Sequence, residues 1–235
     1  MATSSATGAW AERRRRIVRD AVGIGLAVGM FGLSFGALAV ASGLTTAQAM
    51  VLSAVMFTGG SQFAFIGVIG AGGAGVAAAA AALLLGARNT FYGVALSPLV
   101  PSNGLRRVTT AQLTIDESTA MALAHQDAGE PRAARTAFWA TGIAVYVGWN
   151  LATLAGALGA SWLGDPADWG LDAMVPAAFL ALLWPRLRDR ETVAVALAAV
   201  AVALLATMVA PPGVPVLLGG AIAVVVALAT DRTHR

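Results

Sequence analysis

Phe57-Thr58-Gly59-Gly60-Ser61-Gln62-Phe63 lies inside an otherwise apolar stretch, Leu44 to Gly70. A continuous helix avoids two adjacent glycines followed by serine and glutamine, because glycine weakens a helix and the two polar side chains would face apolar surroundings. The stretch therefore reads as a broken or hinged helix. In a membrane, such a break frees main-chain N–H and C=O groups that must find partners in protein, in a water-filled cavity or in a ligand. The solvent around this segment thus decides the fold.

Composition identifies that solvent. Of 235 residues, 58% are hydrophobic and 11% charged, with a mean hydropathy of +0.76. A soluble domain carries about 25% charged residues, so a cytosolic enzyme, a disordered chain and a secreted disulfide scaffold are excluded. Cysteine is absent, which removes disulfides, thiolate metal sites and cysteine nucleophiles. About seven helices of about 20 residues would use roughly 140 positions, close to the hydrophobic fraction. The expected fold class is all-α: a polytopic integral membrane helical bundle of about six or seven transmembrane helices, some of them interrupted, with a candidate internal repeat.

Arginine placement carries the topology, since the chain has no lysine and its net charge is +3. Arg13 to Arg16 and Arg19 precede the apolar run Ala21 to Ala41, the pattern of the cytoplasmic end of a first span. A basic run can bind nucleic acid, but its place beside a span points to the membrane instead. Ala37-Leu38-Ala39 resembles a signal-peptide cleavage site, yet the apolar region is longer than the about 7 to 15 residues of such a signal. An uncleaved helix is expected. The organisation read from this is a cytoplasmic basic tail over 1–20, a transmembrane domain over 21–230 and a short tail over 231–235. The protein would be multi-pass in the inner (plasma) membrane, with its amino terminus in the cytoplasm.

Val76 to Val100 forms another span, holding Arg88, Asn89 and Tyr92 and closed by Pro98 and Pro101. The polar connection 102–132 contains Thr114 and Glu117 at capping-box spacing, and Leu113, Met121 and Leu123 give a short helix there a weak apolar side suited to the membrane surface. Ala134 to Leu158 follows, with Tyr146, Trp149 and Asn150. Ala173 to Trp184 is short and contains Pro176, and Arg186, Arg188 and Arg190 end it. Val193 to Ala210 and Val214 to Ala229 flank Pro211-Pro212-Gly213, a helix breaker.

Val28-Gly29 aligns with Val147-Gly148, and nearly the same offset brings Met56 to Met174. Residues 21–100 and 134–229 are thus candidate repeats, interrupted at Gly59-Gly60 and Pro176-Ala177, a pattern that points to a transporter's central binding site. Three crossings per half would invert the repeats and put Arg186, Arg188 and Arg190 outside. Charge bias prefers them on the cytoplasmic face with Arg106, Arg107, Arg132 and Arg135. A re-entrant hairpin over Leu44 to Gly75, hinged near Gly59, satisfies the charges and places the carboxyl terminus in the cytoplasm; seven crossings place it outside.

Gly25, Gly29, Gly32 and Gly36 form one smooth stripe, suited to close helix packing or to lining a narrow path. Gly59, Gly60, Ser61 and Gln62 are candidate substrate contacts: a half-helix amino terminus suits a carboxylate, and free carbonyls or a carboxamide suit an ammonium. Arg88 lies deep in its span and requires an anion, either a carboxylate such as Asp172 or Glu117 or that of a substrate, unless it snorkels to an interface. Asn89 and Tyr92 lie within a turn of it. Asp116, Glu117 and Asp172 are the candidate proton-coupling or gating groups, with Pro176 a candidate gating position; each acid also suits a cap or solvated loop. His125 and His234 have no metal-ligand company, and no cofactor is expected. No nucleophile, phosphate-loop or zinc motif occurs, so the chain is not expected to be an enzyme.

Several stretches together resemble the AzlC family of branched-chain amino acid permeases: Phe35-Gly36-Ala37-Leu38-Ala39, Gly43-Leu44-Thr45-Thr46-Ala47-Gln48-Ala49, the Phe57 to Phe63 segment, Ala87-Arg88-Asn89-Thr90-Phe91-Tyr92-Gly93, Leu113-Thr114-Ile115-Asp116-Glu117-Ser118, and Gly170 to Leu183. The resemblance covers about residues 20 to 230. It implies export of branched-chain amino acids or toxic analogues, usually with a small membrane partner of the AzlD type. The chain departs from the family in lacking lysine and in its arginine-dense amino terminus. The leading expectation is an exporter working by alternating access; the alternative is a non-transporting membrane subunit or chaperone whose glycine stripe docks a partner helix.

Overall fold

The computed structural model describes residues 2–163 and 190–233, with isolated positions between them, and the described residues contain no strand. In chain order the described helices are α1 (Ala2–Ala41), α2 (Thr46–Val55), α3 (Gly59–Gly70), α4 (Gly75–Gly86), α5 (Arg88–Leu96), α6 (Leu105–Gln112), α7 (Asp116–Asp127), α8 (Pro131–Leu163), α9 (Arg190–Thr207) and α10 (Val214–Thr233). Gly8–Ala41, Gly75–Leu96, Pro131–Ala160 and Arg190–Thr207 are long and apolar enough to cross a membrane. The second of these joins α4 and α5 through Ala87, whose φ of −56° and ψ of −29° remain helical. Met1 aside, the basic segment 1–20 continues the helix of the first span.

The centre of the fold is the pair α1 and α8, which run parallel. At one end Arg13 pairs with Glu130 and the Arg132 guanidinium lies 4.1 Å from the Trp10 ring centre. Further along, a Cβ on Gly25 would fall 2.8 Å from the Ala144 carbonyl carbon, and one on Gly32 would fall 2.7 Å from the Trp149 oxygen. Gly36 meets Thr153 and Ala157, and Gly156 of α8 meets Leu33 and Ala37. Glycine supplies no side chain, so the two backbones approach directly, as membrane helices do where van der Waals contact drives association. The stripe read from sequence is therefore occupied by α8, which takes it away from any external partner helix. Gly29 and Gly148, equivalent in the proposed repeat, face one another across this contact. Because α1 and α8 are parallel, these two helices cannot be inverted equivalents.

The chain then makes a hairpin. After Gly43 (φ +93°), α2 starts under a capping box between Thr45 and Gln48. It runs back along α8, where Ser53 Oγ donates to or accepts from Thr153 Oγ1 at 3.2 Å and Tyr146 OH donates to the Ala54 oxygen at 3.3 Å. α3 returns to the end of α1, so that Gly70 lies against Ser42. Leu44 to Gly70 thus enters and leaves by one end of the bundle, the re-entrant geometry that the charge pattern favoured. The break itself precedes the glycines: α2 ends at Val55, and Gly59 to Gln62 form the first turn of α3.

The connection 102–132 departs from the surface-helix expectation. α6 runs inward and α7 runs back along α8 to the arginine-rich end, with Leu113, Ile115 and Ala122 buried in the core. Leu113 lies against Gly142, whose missing side chain makes room for it. The capping box expected between Thr114 and Glu117 does not form. Thr114 Oγ1 donates to the Thr110 oxygen, while Ser118 Oγ accepts from the Ile115 N–H and donates to the Leu113 oxygen. α6 and α7 therefore make a second hairpin, pointing opposite to the first.

α4 descends beside α3, and α10 runs parallel to α4, with Gly213 against Ala77 and Gly220 against Leu84. α9 lies antiparallel to α10, whose Gly219 meets Ala199 and Ala203. The end of α10 is therefore on the same side of the bundle as Arg13. Asp172 and Pro176, and with them the second interruption of the candidate repeat, lie outside the described residues.

Candidate functional site

The tips of the two hairpins meet in the interior, and helix ends dictate the chemistry there. A helix terminus leaves about four carbonyls without intrahelical partners; at the end of α2 the Met56 N–H still reaches the Leu52 oxygen, and the Ser53, Ala54 and Val55 carbonyls lie beyond that last bond. Gln62 Nε2 donates to the Leu52, Ser53 and Met56 oxygens at 3.2, 3.3 and 2.7 Å. Gln112 Nε2, from α6, donates to Ala54 at 2.7 Å and to Val55 at 3.3 Å. Side chains from three other elements, counting Tyr146, thereby close the carboxyl end of α2.

The amino end of α3 stays open. Its N-cap, Thr58, makes no side-chain cap bond, and the Gly59, Gly60 and Ser61 N–H groups precede the first intrahelical bond, from Gln62 N to the Thr58 oxygen. Thr58 Oγ1, Ser61 Oγ, Gln62 Oε1 and Trp149 Nε1 are buried without a hydrogen-bond partner. Ser61 is 2% exposed and Gln62 fully buried. Buried polar atoms are nearly always paired, and an unpaired one costs about 1–3 kcal/mol, so this cluster is a strong ligand signal. Gly59 is needed because the Trp149 ring rests on it, 2.9 Å from where a Cβ would stand.

Aromatic rings wall the site. Phe35 and Trp149 stack at 6.2 Å, and Phe63 meets both edge-on, at 5.6 Å from Phe35 and 6.1 Å from Trp149. Phe57 packs on Tyr146 at 4.8 Å.

Arg88 sits two residues beyond Gly86, which passes Ser61 Oγ closely. Its terminal nitrogen pairs with Asp116 Oδ2 at 2.8 Å, at the start of α7. Glu117 and Asp172 were the protein partners expected from sequence; the observed partner is the neighbouring acid, because α7 turns Asp116 toward α5. Arg88 Nε and Asp116 Oδ1 remain buried and unpaired, so the fork of the guanidinium is half used. Glu117 lies in α7, outside the four long apolar helices. Burial pushes its carboxyl above the usual range, a backbone hydrogen bond opposes this, Asp116 adds to it and Arg88 opposes it.

Asn89 lines a groove of about 740 Å³ with Thr110, Thr114, Ser97 and Arg107, leading from the arginine-rich end toward Arg88. Tyr92 is half-buried one turn beyond Arg88 and has an interaction of its own. Sequence reasoning gave Gln112, Trp149 and Tyr146 no role. A carboxamide closing a short polar helix was the available signal for Gln112, but nothing local says that its target lies on α2. Gln112→Ala should lower thermal stability by about 1–3 kcal/mol, read as a fall in melting temperature in detergent; an unchanged midpoint would contradict the cap.

Opposed half-length hairpins and a buried polar cluster at their meeting point belong to an all-helical membrane bundle. The family model described as AzlC protein matches residues 23–163, more than half of the chain, and the protein belongs to the AzlC family, which is associated with transport and not with catalysis. Neither the curated proteins nor the solved structures yield a match.

Proposed function

We propose that this protein exports branched-chain amino acids across the inner (plasma) membrane by alternating access about the α2–α3 break, with a small AzlD-type membrane partner and with its amino terminus in the cytoplasm. The observation that carries this reading is the set of buried, unpaired polar atoms at the open end of α3 beneath an aromatic wall. The substrate carboxylate takes the Gly59, Gly60 and Ser61 N–H groups and Ser61 Oγ, where the helix dipole favours an anion. Its ammonium takes Gln62 Oε1, and its branched side chain packs on Phe35, Phe63 and Trp149. The polar groove past Arg107 and Asn89 is the route from the cytoplasm. Arg88 and Asp116 form a charge pair beside that route, Tyr92 lines the same helix, and Glu117 is the group that carries a proton. Asp172 and Pro176 remain gating candidates from sequence.

The test is efflux of labelled valine or leucine from loaded cells that produce this protein and its small partner. Ser61→Ala should cut the initial rate by about fivefold to tenfold, the equivalent of one lost hydrogen bond of about 1–1.5 kcal/mol, with unchanged abundance in the membrane. Wild-type efflux no faster than in cells lacking the protein would dispose of the reading and favour a non-transporting membrane subunit that meets its partner by a surface other than the glycine stripe.

A further inference from the structure

A second charged feature lies far from the hairpin tips, at the arginine-rich end of the bundle. Arg14 of α1, Arg106 of α6 and Arg135 of α8 line one groove of about 500 Å³, whose apolar floor includes Val18, Trp139 and Ile143. No acidic residue lines it. The ion pairs of the described residues engage Arg13, Arg16, Arg19 and Arg88, and none of these three. Two of the three are nevertheless held in place. The Arg106 guanidinium lies 5.6 Å from the Trp139 ring centre, and Arg135 Nε donates to the Leu99 oxygen at 2.7 Å, leaving its terminal N–H groups for another acceptor. All three arginines are exposed, and their like charges, gathered on one groove without an acidic neighbour, favour an anion there.

The floor narrows the class of anion. Val18 and Ile143 are 40% and 51% exposed and lie on the membrane-crossing helices α1 and α8, so the groove continues from guanidinium groups onto a lipid-facing apolar surface. A soluble phosphate would use the charges and leave that surface unused. We infer that this groove binds one anionic phospholipid, its phosphate held by Arg14, Arg106 and Arg135 and an acyl chain lying along Val18 and Ile143. Basic pockets between membrane helices are suited to such headgroups. Because each arginine comes from a different helix, the bound lipid ties α6 to the α1–α8 pair.

The experiment uses the purified full-length protein in phosphatidylcholine nanodiscs doped with phosphatidylglycerol or cardiolipin, with retained lipid counted by native mass spectrometry. The wild type should keep one anionic phospholipid. R14Q/R106Q/R135Q should keep at least about tenfold less, whereas R15Q/R16Q/R190Q, which removes equal charge elsewhere, should stay within about twofold. Ile143→Trp fills the floor without touching charge and should also lower retention by about fivefold, which tests the site if the triple variant does not fold. Equal loss in both triple variants, equal retention of phosphatidylcholine, full retention by Ile143→Trp, or displacement by low-millimolar inorganic phosphate would each overturn the assignment, the last by making a soluble phosphate the ligand.

Discussion

Replacing Gly36 by leucine is expected to abolish the folded protein. A Cβ at this position would land on the Thr153 carbonyl and against the Ala157 nitrogen. Added methylenes in a packed core cost about 1–3 kcal/mol where side chains can shift, and more where, as here, the obstacle is backbone on both sides. The α1–α8 pair supports both hairpins, since Phe35, one residue away, and Trp149 build the aromatic wall against α3. G36L should therefore lose its monodisperse peak in size-exclusion chromatography from membranes. Gly23, which has nothing within 4 Å of a Cβ, is the control, and G23L should behave as wild type. A G36L protein with the wild-type profile and melting temperature would show that α1 and α8 do not touch there.

The second large effect concerns the Arg88–Asp116 pair, and a double-mutant cycle separates its two roles. Removing one partner of a fully buried pair costs about 3–5 kcal/mol. Here the side chains keep 35% and 31% of their exposure, so Arg88→Gln or Asp116→Asn alone should cost about 1–3 kcal/mol. Each single variant should lower abundance. The neutral double variant R88Q/D116N removes both charges and should recover abundance, because no charge is left without its counter-ion. Valine or leucine export should stay at least about tenfold below wild type, since a cation beside the route is then missing. Recovery of export together with abundance would reduce the pair to a structural ion pair.

Much of this was open to sequence reasoning. Period and composition distinguish apolar helices from everything else, so the all-helical membrane character, the glycine stripe and the interruption near Gly59 were readable directly. Charge bias favoured a re-entrant hairpin over Leu44 to Gly75 but left the side on which the chain ends open between that course and seven crossings. The candidate site residues Ser61, Gln62 and Arg88 stood out because polar groups in apolar stretches are costly and need a reason. The hairpin of α6 and α7 was not readable, because a polar segment with Arg106, Arg107 and Thr109 and only a weak apolar side at Leu113, Met121 and Leu123 reads as one short helix on the membrane surface.

Local sequence by itself determined which segments are helical and apolar, where an apolar helix must break, and where charge gathers, because propensity, periodicity and desolvation act within a few residues. Tertiary structure alone decided which groups close the exposed helix ends. Gln112 reaches Ala54 across 58 positions and Tyr146 reaches it across 92, and Arg88 finds Asp116 and not Glu117 because α7 turns it there. Such pairings depend on how whole helices are placed by close backbone contact at Gly32, Gly36 and Gly156, and distances between helices are not encoded in any window of the chain.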